Sequence, residues 1–124
     1  MKTRTADIYL DENNILYIVM LAGVIVDAED SLDNLLVVRQ LTKNKSCVKL
    51  IDIRAGFKLE EKAKKLLDSN DAQKKTNARA VLTSSNIKKI TLNFFLKYNS
   101  NLIPTKFFTD EKQAIEWLKT YQDT

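Results

Sequence analysis

Histidine is missing from this 124-residue chain, and cysteine occurs once, at Cys47. The first absence removes imidazole bases, His-based triads and the usual zinc sites; the second removes internal disulfides and thiolate–imidazole pairs. Cys47 stands in the strand-like run CVKLIDI and reads as a small core residue. Proline occurs once and glycine twice, and Gly23 and Gly56 stand alone, so no glycine-rich phosphate loop is present. The longest apolar run, Ile15 to Val26, is interrupted by Gly23 and falls short of the roughly 18 to 20 residues of a membrane span. Met1-Lys2-Thr3-Arg4 leads directly into alternating residues without a signal-peptide pattern, so a cytoplasmic location is expected. Acidic residues are absent between Asp71 and Asp110, an interval that holds seven lysines and arginines in a chain of net charge +4. A segment of one sign can favour an anionic partner, or can be a solvated face paired with acids from elsewhere.

What is present reads as one α/β domain over residues 1–124. Thr5 to Leu10 alternates, with Ala6, Ile8 and Leu10 on one side, and predicts a half-buried strand. Asp11 to Asn14 is a turn cluster, and Ile15 to Leu21 completes a hairpin. Asp27 caps a helix over about 28–43, with Leu32, Leu35 and Leu36 as its inward stripe and Val38 off it. Cys47 to Ile53 reads as a central strand, followed by a helix over about 58–70 with Leu59, Ala63, Leu66 and Leu67 inward. Ser69 to Asn77 reads as a polar connection and Arg79 to Thr83 as a short buried strand. Thr105 to Thr109 is the last strand, and Asp110 with Gln113 has capping-box spacing ahead of a terminal helix striped by Ala114, Trp117, Leu118 and Tyr121. The expected fold is a single mixed five-stranded sheet: an N-terminal antiparallel hairpin followed by αβαβαβα, with right-handed crossovers.

The stretch TLNFFLKYN, within the helix expected over Asn86 to Tyr98, is apolar on two sides. At about 100° per residue, Ile87, Ile90, Thr91, Phe94 and Tyr98 share one face, which belongs against the sheet. Leu92 and Leu96 lie nearly opposite, with Phe95 between the two groups. Leaving that trio in water forgoes roughly 1.5 to 3 kcal/mol per fully buriable side chain. A neighbouring element, a second subunit, or a lipid or small apolar ligand could supply the cover.

Candidates for chemistry are few. Asp52 reads as a hydrogen-bonding residue at a strand end or a partner of Arg54 or a lysine, and Glu60 and Glu61, being adjacent on a helix, do not converge. No enzymatic activity, cofactor or metal is expected. Ser84, Ser85 and Lys88 fall where a strand hands over to a helix N-terminus, a place suited to anions or to simple capping. Ligands of open α/β sheets gather outside the carboxyl ends of the strands, which adds Arg54 and Phe57. Nothing resembles a nucleic-acid motif, and no nucleic-acid partner is expected.

The hairpin start, LIDIRAGFKLEEKAKKLL and NFFLKYNSNLIPTKFFTDEKQAIEWL together resemble the SpoIIAA-like, STAS-related bacterial domains over residues 5–121. The strand KFFTD and the A-x-x-W-L ending at Ala114, Trp117 and Leu118 are the most distinctive part. The resemblance implies a mixed sheet covered by helices, usually without catalysis, and a protein partner. STAS domains proper carry a phosphorylated serine or threonine near the start of the helix after the central strand. The corresponding run here, Ile51 to Asp68, contains neither residue. The expected role is therefore a non-enzymatic interaction or regulatory domain without the usual phosphoswitch. It is expected to be a homodimer, with Leu92, Phe95 and Leu96 in its partner surface. The alternative is a binder of an amphipathic small molecule or anionic lipid.

Overall fold

The structure is a computed structural model and describes residues 1–56, 58–63, 75–84 and 103–122. Strands β1 (Ala6–Leu10) and β2 (Ile15–Met20) form the expected antiparallel hairpin, with Ile8 opposite Ile18. Its turn is built by Asp11, whose Oδ1 accepts the N–H groups of Asn13 and Ile15, both at 2.9 Å. Asn14 then takes a left-handed φ of 63°, which a short polar side chain tolerates. Alternation places Ala6 and Ile8 fully inside and Tyr9 outside.

Gly23, at φ 73°, turns the chain out of β2 into a short strand β3 (Ile25–Val26). Helix α1 (Ala28–Thr42) follows, then β4 (Cys47–Asp52), β5 (Lys58–Leu59), β6 (Thr76–Leu82), β7 (Thr105–Phe108) and α2 (Glu111–Lys119). The main sheet has the order β1-β2-β4-β6-β7 and is parallel throughout after the first pair. β3 and β5 pair separately, in parallel, as a two-stranded sheet. Two-residue strands have no periodicity to read, and the helix expected from residue 58 starts later for this reason. Residues 58 and 59 are strand and 61–63 are helical, while the rest of the helix expected to about residue 70, with Leu66 and Leu67, lies outside the described residues. β6 begins at Thr76, so the polar connection expected to reach Asn77 ends sooner.

Two cores flank the sheet. On one side Ile8, Leu16, Val26, Val38, Cys47, Ile53, Ala63 and Val81 pack together beneath α1. On the other, Ile15, Val48, Leu50, Ala80 and Leu82 pack beneath Ala114 and Leu118 of α2. The Asp110 carboxylate caps α2 by accepting the Lys112 N–H at 2.9 Å, a bond that reaches Lys112 rather than Gln113. Phe108, Trp117 and Tyr121 continue that stripe as a chain of tilted rings, 5.8 and 5.0 Å between centroids.

Helix α1 does not point inward the residues that its leucine pattern predicts. Leu32 and Leu36 are 46% and 52% exposed, whereas Asp30, Ser31 and Val38 are buried. The reason is a polar seam between α1 and the segment leading into β1. Arg4 Nε donates to Asp30 Oδ1 at 2.8 Å, and Arg4 Nη2 contacts the same carboxylate and the Ile25 carbonyl. Asn34 accepts from the Thr3 hydroxyl at 2.6 Å and donates to that of the fully buried Thr5 at 3.1 Å. Asp30 also closes a capping box with Asp27. Buried polar groups hold their position when hydrogen-bonded, and these fix the rotation of the helix. The leucines are turned outward as a consequence.

Candidate functional site

The register of β4 and β6 sets Asp52 beside Leu82, so Arg54 and Ser84, each two residues further on, reach the same carboxyl rim of the sheet. Of the five residues expected to bind an anion, these two are described; Phe57, Ser85 and Lys88 lie outside the described residues. So do Leu92, Phe95 and Leu96, the expected partner surface. Ser84 is half-buried, and its carbonyl accepts the Thr83 hydroxyl at 3.1 Å.

Arg54 is held by carboxylates. Its Nη2 lies 2.8 Å from Asp52 Oδ2 and 3.6 Å from Glu111 Oε1, and its Nε donates to Asp52 at 3.1 Å. Asp52 Oδ1 also accepts the Arg54 backbone N–H at 3.0 Å. The hydrogen bond to Asp52 raises the guanidinium above its ordinary pKa, with burial opposing. An incoming anion at Arg54 would have to displace one carboxylate and face the other. This explains Asp52 as the strand-end partner that the sequence indicates, rather than as an acid or base.

Nearby, Tyr9 and Tyr17 stack face to face, 4.9 Å apart and 7° from parallel. Burial, with help from Asp11 and Glu111, pushes the Tyr17 phenol up to about 12, so it stays protonated. The Cys47 thiol is buried, and burial pushes it above its ordinary value. A protonated thiol is a poor nucleophile. Among the described residues no group of three acids or cysteines could hold a metal, and no helix is long and apolar enough to cross a membrane.

The surface that sequence reasoning missed is the outer face of α1. Leu32 and Leu36 lie one turn apart on it, and Ile25, in the strand leading to the helix, is 53% exposed. The available signal was the cluster of polar residues, Asp30, Ser31 and Asn34, on the face opposite the leucines.

This strand order, with one antiparallel pair and α1 and α2 on opposite faces, defines an α/β domain of the SpoIIAA-like class. A structural neighbour from Shewanella loihica PV-4, an uncharacterised protein of the DUF3478 family described as having a SpoIIAA-like fold, superimposes with a TM-score of 0.67. The two are 17% identical, and the match covers 95% of this chain and 98% of that one. Within that class the chain belongs to the family described as a domain of unknown function, DUF7793, whose pattern matches residues 8–122. A protein of unknown function from Arthrobacter sp. FB24 is 27% identical over 97% of both chains, with a TM-score of 0.37. No curated protein matches the chain.

Proposed function

We propose that this chain is a non-enzymatic interaction domain of the STAS-like class that associates with a second copy through the outer face of α1. The observation that carries this reading is the pair Leu32 and Leu36, each about half in water on a helix whose inner face is hydrogen-bonded in place. Burying such a pair against its symmetry mate would contribute roughly 1.5 to 3 kcal/mol per side chain if burial were complete. The trio Leu92, Phe95 and Leu96, outside the described residues, remains a second candidate surface on sequence grounds.

The absence of serine and threonine from 51–68 supports a module that does not use the family's usual modification. So does β5, where Lys58 within the strand and Glu60 just after it donate their N–H groups to the Val24 and Val26 carbonyls at 3.1 and 2.9 Å, so that a paired strand follows the central strand at 58–59. The non-catalytic reading is supported by a protonated Tyr17, a buried Cys47 and an ion-paired Asp52.

Light scattering coupled to size exclusion tests the proposal. Wild type is expected to elute as a dimer, and Leu32→Glu/Leu36→Glu as a folded monomer. Leu92→Glu/Leu96→Glu, examined alongside, separates the two faces. A wild type that is monomeric at all accessible concentrations would overturn the dimer.

A further inference from the structure

The amino ends of the parallel strands carry a second feature that the α1 surface does not use. The β4–β6 register sets Lys49 beside Arg79, and both side chains rise from the α1 side of the sheet, as Cys47 and Val81 do. Neighbouring strands are about 4.8 Å apart, and like charges side by side oppose pairing. This pair is also withdrawn from water: Arg79 is 7% exposed and Lys49 is half-buried. Arg79 donates from Nη2 and Nε to the Thr105 hydroxyl, at 3.1 and 3.3 Å. Burial pushes the Lys49 ammonium below its ordinary pKa, with Cys47 opposing and Arg79 and Arg39 adding to the shift.

Above Lys49 lies a cavity of about 400 Å³ between the carboxyl end of α1 and the strands. Its cations come from four separate places: Arg39 from α1, Lys45 from the loop after it, Lys49 from β4 and Lys75 from the approach to β6. Asn44 and Thr76 add polar groups, and among the described residues no lining side chain is acidic. None of the ion pairs among the described residues involves Lys45, Lys49 or Lys75. The carbonyl end of α1 favours a lysine at position 45, but it does not call for one rising from the sheet at position 49.

We propose that this cavity binds a small molecule through a phosphate group. Its volume is in the range of small-ligand sites. Lys45, Lys49 and Lys75, the lining cations without an ion pair among the described residues, match a group that carries two charges and several acceptor oxygens better than a singly charged carboxylate. The site lies at the opposite end of the strands from Arg54 and Ser84, where Asp52 and Glu111 already hold the cation.

Titration calorimetry and thermal shift with inorganic phosphate, pyrophosphate and ATP, at ionic strength held constant with chloride, test this. At least one of these is expected to bind and to raise the melting temperature, with Lys49→Met and the surface pair Lys45→Glu/Lys75→Glu each weakening binding by about tenfold or more. Lys49→Met is expected to fold at least as stably as wild type without ligand, because it removes a half-buried, uncompensated cation. Phosphatidylcholine vesicles with and without phosphatidic acid form a second arm. Binding to the acidic vesicles without binding to the soluble phosphates identifies a lipid headgroup as the source of the phosphate, and the reverse identifies a free ligand. No binding of any probe at millimolar concentration would overturn the proposal. So would binding that is undiminished in both variants.

Discussion

Helices α1 and α2 flank one sheet and solve the same packing problem in different ways. Helix α2 buries Ala114 and Leu118 completely and lays Trp117 against Phe108, so its inner face is apolar along its length. The first half of α1 instead meets the chain around β1 through Asp30, Ser31 and Asn34, and turns apolar only at Val38. An apolar seam gains stability with area and is indifferent to small rotations. A polar seam of this kind fixes one rotation, and here that rotation leaves two leucines outside. The apolar residues of α2 therefore report its core, and those of α1 report its surface.

The difference makes α2 the place of largest expected loss. Leu118→Ala should cost about 2–5 kcal/mol in urea unfolding, because a fully buried side chain is replaced by a cavity under a short helix. A loss below about 1 kcal/mol would mean that α2 is not a committed part of the core.

The α1 seam should show itself through pH. The hydrogen bond from Arg4 holds the Asp30 carboxyl at about 2, below its ordinary 3.8, against the opposing effect of burial. A folded-state value depressed in this way contributes stability in full above the ordinary value. That contribution is lost as pH falls through the folded value. Asp30→Asn should therefore lower stability on the order of 1–2 kcal/mol at neutral pH, Arg4 being largely exposed, and approach wild type toward pH 2. A gap that stays constant from neutral pH to acid would remove the charge from the seam.

The smallest effect belongs to Ser31, whose hydroxyl is buried without a hydrogen-bond partner. Ser31→Ala should be neutral or stabilising by up to about 1 kcal/mol, since an unsatisfied polar atom is removed at almost constant shape. Marked destabilisation in the same unfolding measurement would show that the hydroxyl does have a partner in solution.

Much of this architecture could be read from the sequence where local patterns decide it. The hairpin, the Asp27 cap, the central strand CVKLID, and the helix ending in Trp117 and Leu118 all carry signals confined to a few residues. The phase of α1 could not be read this way. It depends on Arg4, Thr3 and Thr5, more than twenty residues from their partners, and leucine spacing outweighs polar contacts that only tertiary structure forms. The β3–β5 pair is equally long-range and too short for periodicity. At the rim, the pairing of Asp52 with Arg54 was visible because the two are neighbours in sequence, while Glu111 joins them only through the fold. The juxtaposition of Lys49 with Arg79 is a matter of register, which no single strand reveals.

The most direct test of the outward α1 leucines is urea unfolding of wild type and Leu32→Ser/Leu36→Ser over a range of protein concentrations. Wild-type stability should rise with concentration, as association requires, while the double variant should show no such dependence and match wild type within about 1 kcal/mol at the dilute limit. A loss of several kcal/mol that persists undiminished on dilution would place Leu32 and Leu36 in the core and contradict the outward face.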